Sequence, residues 1–194
     1  RGTLVLVGTR TLPCSAGPYV SRGTSRPATP ALEPGRTEPV YNPTSDFSFP
    51  IRPMARVVCL GMSALDAIYR VPAIPSTPIK VLASSFTQCG GGMAANASVA
   101  VARLGGQAAY WGRAGADDVG NRIVAELQVE GVDTRAVRYV TGAASSSDAI
   151  LVDPTGERLI CAYTDPALDP DPSWLPLESI AQVDAVLADV RWPA

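Results

Sequence analysis

Residues 88–106 read Gln88-Cys89-Gly90-Gly91-Gly92-Met93-Ala94-Ala95-Asn96-Ala97-Ser98-Val99-Ala100-Val101-Ala102-Arg103-Leu104-Gly105-Gly106. Three glycines lead straight into an alanine-rich run. Glycine at a strand-to-helix turn lets a ligand approach the backbone, and the first amides of the following helix stay free to face an anion or a hydroxyl. Ala94 to Leu104 reads as a helix whose all-round small apolar surface implies burial against a sheet. The run is not a dinucleotide fingerprint, which places Gly-x-Gly-x-x-Gly after the first strand, nor a phosphate loop, which needs Gly-Lys-Ser/Thr. By itself it fits a turn that simply needs small residues.

The flanking sequence sets this turn in an α/β pattern, with apolar β runs alternating with helical stretches. Val57 to Leu60 reads as the first strand, Lys80 to Thr87 as a second and Ala108 to Trp111 as another. Asp118 to Glu130 is an amphipathic helix with Val119, Ile123, Val124 and Leu127 on one face, and Gly131 ends it. Asp117 and Asp118 precede or open this helix, where acids are stabilising, so both read as structural. Ser147 to Asp153 and Arg158 to Tyr163 flank Asp-Pro-Thr-Gly-Glu and predict a β-hairpin. Trp174 to Ala181 reads as helical and Ala185 to Val190 as a last strand. A hairpin breaking the alternation is how a small sheet is hung on the edge of a larger one, where it can cover a site.

The 194 residues are 46% apolar and 18% charged, with a formal charge of -2. One domain with some excess is expected. The balance gives no polyanion-binding surface, so nucleic acid is not expected as a partner. No apolar run reaches the roughly 20 residues of a membrane span. Histidine is absent, which removes Ser-His-Asp triads, Cys-His pairs and histidine zinc sites and leaves carboxylates, backbone dipoles and cations for any chemistry. Cys14, Cys59, Cys89 and Cys161 lie far apart and read as free thiols of a reducing cytoplasm rather than as a disulfide or zinc framework.

Residues 1–53 differ in texture. They hold 9 of the 18 prolines and a charge of +3, against -5 for residues 54–194. Dense proline removes backbone donors and fixes φ, so a helix or a central strand is not expected there, and the stretch reads as a disordered or spurious Pro/Arg-rich leader. Met54, just before the first strand, is the expected true start. An organellar transit peptide is the rival reading, on the acid-free Arg/Ser/Thr composition of residues 1–32.

The glycine run keeps specific company. Gly91-Gly92-x-Ala94-x-Asn96-x-Ser98 is followed by Gly105 and Gly115, preceded by "VVCLGMSALD" ending in Asp66, and joined by "GRAGADDVGN" from Gly112 to Asn121. This set resembles the N-terminal signature of the ribokinase-like, or PfkB, carbohydrate kinase family over Arg56 to Trp192. The runs "GGGMAANASVAVARLG", "SSSDAILVDPTGERLI" and "VDAVLADVRW" look closest to its sulfofructose kinase branch. The resemblance implies an α/β fold with a ribokinase-like, mostly parallel sheet, flanking helices and a small β lid. Residues 54–194 would be the N-terminal part of the domain, cut after about its first half.

It also implies an activity: transfer of the ATP γ-phosphoryl group to a sugar hydroxyl. Asp66 would accept hydrogen bonds from substrate hydroxyls, while Gly91, Gly92 and Asn96 line the same pocket. A carboxylate suits the task, since each oxygen can accept from one of two vicinal hydroxyls. On the residues alone, Asp66 also fits a loop-capping carboxylate and Asn96 a side chain satisfying backbone in the first helical turn. Lys80, the single lysine, and Arg191 align with cationic positions of the sulfosugar branch and would meet an anionic substituent. A solvated surface cation is the bland reading of each.

Three departures stand beside the match. Met93 replaces the lysine of ribose-type members, so ribose is not predicted. Ala162 stands where the sulfosugar branch carries Asn. No Gly-Ala-Gly-Asp, the family's catalytic motif for the general base and anion hole, occurs in the sequence; Gly115-Ala116-Asp117 belongs to the N-terminal signature. No catalytic residue is therefore expected in this chain. ATP and Mg²⁺ are implied with sites mostly outside it, and a homodimer through the lid is implied as a partner arrangement. A nucleoside kinase of the same fold and a noncatalytic sugar-binding remnant remain the alternatives. Trp111, Tyr163 and Trp192 are read as packing residues.

Overall fold

The computed structural model describes residues 3–6, 54–168 and 171–191. Five parallel strands form the main sheet in the order β1, β9, β2, β5, β6, with β1 Thr3–Leu6, β2 Arg56–Leu60, β5 Gln107–Gly115, β6 Val137–Val140 and β9 Ala185–Ala188. Within the leader, Thr3–Leu6 forms an edge strand beside β9; the rest of residues 1–53 lies outside the described residues.

Strand β2 shows why parallel strands read as continuous apolar runs. Its Cys59 and the β5 residues Ala108 and Tyr110 face one side, in a core with Ala94, Ala95, Ile123 and Leu127 from the two helices α1 Met93–Arg103 and α2 Asp118–Val129. Val58 and Trp111 face the other, against Leu175 and half-buried Trp174 and Val183. Each helix follows the periodicity the sequence predicts to within a residue at either end. Asp117 is the N-cap of α2, its Oδ1 accepting from the Gly120 N–H at 2.7 Å, so its structural reading holds.

Four strands make the lid, in the order β4, β3, β7, β8: β3 Ala64–Arg70, β4 Ser85–Gly91, β7 Ser147–Val152 and β8 Arg158–Tyr163. The hairpin β7–β8 forms as expected, its turn pinned by Asp153 Oδ1, which accepts from the Thr155 and Glu157 amides at 2.9 and 3.1 Å.

Several expectations are corrected. Asp66 does not end a strand but lies within β3, an element the sequence reading merged with β2. The second strand begins at Ser85 rather than Lys80; Ile79 and Leu82 are 69% and 75% exposed, and without a partner strand that apolar run stays irregular. Trp174 to Ala181 is not an α-helix but a 3-10 turn over Leu177–Gln182. Trp111 is buried as expected, whereas Tyr163 is 51% exposed, and Trp192 lies outside the described residues. Cys59 is a buried free thiol, pushed up to about 12 by burial, and Cys161 an exposed one. Cys89 is disulfide-bonded, against the expectation of a free thiol.

Candidate functional site

The chain passes from the main sheet into the lid through Gly61-Met62-Ser63 and returns through Gly91-Gly92. Both crossings are tight. Gly92 has φ 95°, and a Cβ there would lie 2.5 Å from the Ser63 Cα and 2.6 Å from the Met62 carbonyl oxygen, so glycine alone fits this close approach. The first crossing is fastened from β9: Asp189 accepts from the Met62 N–H at 2.7 Å through Oδ2 and from the Arg191 N–H at 2.9 Å through Oδ1. The fully buried Tyr110 hydroxyl donates to the Gly61 carbonyl at 2.9 Å. The return crossing is held by α2, where Glu126 Oε2 accepts from the Gly90 N–H at 2.6 Å and Arg122 donates to the Gln88 side chain and carbonyl at 3.0 and 3.1 Å.

Asp66 sits between these crossings. It is 7% exposed, opposite Cys89 on β4 and Asp148 on β7. A Cβ on Gly91 would overlap the Asp66 carboxylate, so the missing side chain of Gly91 makes the carboxylate's berth. Its Oδ1 is buried without a hydrogen-bond partner, and so is Oδ1 of half-buried Asp148. Burial, then the neighbouring Asp148 charge, pushes Asp66 up to about 6. Burial also raises Asp148, and the nearby Arg191 guanidinium opposes that rise. An unpaired buried acceptor is costly in a folded protein and needs an explanation. A ligand that brought donors would satisfy both oxygens.

Helix α1 starts beside this berth. Its N-cap, Gly92, has no side chain to cap the first turn; the Ala95 N–H donates to the Met62 carbonyl at 3.4 Å, and the Met93 and Ala94 amides before it are left without a side-chain cap. Asn96 lies half-buried in that first turn, its N–H on the Gly92 carbonyl at 2.9 Å. Next to the first crossing, Gly61, Ser63, Arg113, Ser146, Thr164 and Arg191 help to line a cavity of about 420 Å³. Cation, hydroxyls and carboxylates therefore gather where the carboxyl ends of β2, β5 and β9 meet the lid, the location at which open parallel sheets bind ligands.

Of the six residues the sequence singles out, the structure brings Asp66 and Gly91 into contact, sets Gly92 and Asn96 at the adjoining helix start and puts Arg191 within electrostatic reach of Asp148. Lys80 is not brought to them by any described contact; it is exposed on the irregular connection between β3 and β4. Asp148 was missed. Its signal was available, as a lone acid in the otherwise small and apolar run of β7.

Comparison with known proteins bears on the family and the fold. Residues 54–190 match the pfkB family carbohydrate kinases. Fructokinase-1 of Oryza sativa subsp. japonica is 34% identical over 113 residues, which are 58% of this chain and 34% of that protein. A solved candidate ribokinase from Agrobacterium tumefaciens is 40% identical with a TM-score of 0.69, over 73% of this chain and 46% of that one. The ribokinase of Cryptococcus neoformans, solved with ADP, is 25% identical with a TM-score of 0.62, over 73% of this chain and 43% of that one. The chain spans about a third of the length of the curated relatives it matches.

Proposed function

The chain belongs to the pfkB family of carbohydrate kinases, and on that premise we propose that it supplies the sugar-binding part of an ATP-dependent phosphotransferase acting on a sugar hydroxyl. The observation that carries the reading is the buried Asp66 carboxylate, seated on Gly91 with Oδ1 unpartnered. A sugar hydroxyl donating to that oxygen satisfies it, and the uncapped start of α1 beside it offers amides to a second hydroxyl. In this reading Asp66, Gly91, Gly92 and Asn96 line the sugar subsite. Arg191 and the more distant Lys80 are the cations available to a sugar that carries an anionic group, the feature that separates the sulfosugar branch from neutral hexoses.

ATP would supply the phosphoryl group, with Mg²⁺ entering alongside its phosphates; no described residue has a role toward either. A cytoplasmic location fits the free thiols Cys59 and Cys161 but not the disulfide-bonded Cys89, and no described helix is long and apolar enough to cross a membrane. A homodimer through the lid would cover Phe86, Leu159, Ile160 and Tyr163, which the lid strands leave exposed.

A thermal-shift panel of D-fructose, D-ribose, a sulfosugar and nucleosides on this chain, with phosphorylation assays on the gene product, tests the reading. A ligand at 100 times its Kd stabilises by about 2.7 kcal/mol, a readable rise in Tm. Sugar-specific stabilisation with ATP-dependent phosphorylation is expected. A response to nucleosides alone would convert the assignment to a nucleoside kinase, and sugar binding without turnover would leave a noncatalytic sugar-binding module.

A further inference from the structure

We propose that Asp148 is a second substrate-binding carboxylate, which accepts a hydroxyl of the same polyol that Asp66 holds, so that the site recognises a pair of hydroxyls rather than one. The inference rests on the sugar-site reading above and goes beyond it.

The placement comes from the lid's register. Strands β3 and β7 are parallel and pair Asp66 with Asp148, which puts the two Cα atoms about 4.8 Å apart and both side chains on one face of the lid. That face continues through Cys89 of β4 and Ala162 of β8, so Ala162 leaves room beside Asp148. Each carboxylate keeps one oxygen shielded from solvent and without any hydrogen bond, including to the other. Two acceptors left open side by side are matched by two donors on adjacent carbons. Asp66, more than nine-tenths buried, is the element of the pair that a merely solvated acidic patch would lack.

A structural account of Asp148 fails on the same observations. The carboxylate neither caps a helix nor pins a turn, and no described group donates to the shielded oxygen. An acid on a half-buried strand position that gave nothing in return would be better replaced by an apolar residue. The Arg191 guanidinium is near enough to moderate the cost of the charge, and it also lines the neighbouring cavity.

The test uses titration calorimetry of the whole chain with D-fructose and D-ribose, and with the corresponding deoxy sugars, on the native protein, Asp148→Ala and Asp148→Asn. Loss of a charge-assisted hydrogen bond weakens binding roughly 10- to 100-fold. That loss is expected for Asp148→Ala, and one deoxy position should weaken binding to the native protein yet cost Asp148→Ala little further. Asp148→Asn, which keeps an acceptor oxygen, recovers part of the affinity and controls for folding. Unchanged affinity in both variants overturns the proposal and leaves the sugar site standing. Absence of binding by any of these sugars to the native chain overturns both.

Discussion

The carboxylate of Asp66 occupies the volume that a side chain at Gly91 would fill. Gly91→Ala therefore expels the carboxylate from its berth, and the loss of sugar binding in calorimetry is expected to match that of Asp66→Ala. The double variant should be more stable to denaturant than Gly91→Ala alone, because removing the carboxylate restores space for the methyl group. Such coupling between touching residues is non-additive by construction, and additive stability losses would mean that the two positions do not share this volume.

Asp66 is pushed up to about 6 by burial and by Asp148. A folded-state value above the unfolded one means that the native state binds the extra proton, so its contribution to stability is present below about 4 and is lost as pH rises through about 6. Denaturant melts of the native protein and Asp66→Asn should thus diverge across this window, with the native protein declining relative to the variant. Sugar affinity should run the other way, rising with pH through about 6 as the acceptor ionises. A native-minus-variant stability difference that is flat from pH 4 to 6.5 would contradict this.

Asp117 accepts from the Gly120 N–H, the Ser145 N–H and the Ser145 hydroxyl at 2.7, 2.8 and 2.6 Å. Burial raises its titration point, but the Ser145 and Gly120 hydrogen bonds outweigh burial and hold it below the ordinary carboxylate value. Asp117→Ala removes a helix cap and strands two further donors. About 2–3 kcal/mol of stability should be lost, read as a lower denaturant midpoint at constant m-value.

Glu126 reaches out of α2 to the Gly90 N–H on β4, the edge strand of the lid. Glu126→Ala should speed amide exchange at Gly90 and weaken sugar binding severalfold while leaving the far strand β8 unaffected. Exchange that accelerates evenly over the whole lid would indicate general destabilisation instead of a local clip.

The elements that sequence periodicity revealed are those whose own residues carry the pattern. The Ala94–Leu104 and Asp118–Glu130 runs show their buried stripes directly, and the Asp-Pro-Thr-Gly-Glu turn announces the β7–β8 hairpin. Strand β3 was hidden because only Gly61-Met62-Ser63 separates its apolar texture from that of β2. Strand β6, four residues of which three are half-buried and Tyr139 is exposed, is too short to show any period. At Lys80 a β-like run misled, because strand propensity means little without a neighbour to pair with. The site divides in the same way. Asp66, Gly91 and Gly92 stand in a recognisable run, whereas Asp148 acquires meaning only from the register that sets it beside Asp66, some 80 positions earlier in the chain.

Strand β9 lies inside the main sheet, between β1 and β2, and pairs Val57 with Ala185. On the ribosome, β2 must therefore wait with one edge open while the lid, both helices, β5 and β6 emerge. Only when β9 arrives is the sheet's middle closed, and only with Asp189 does the Met62 turn receive its anchor. Long-range parallel pairing of this kind folds slowly, and an open apolar edge in the interval is an invitation to pair with other chains. Until β9 has paired, the nascent chain therefore offers chaperones an open apolar edge, and the Met62 turn lacks its anchor.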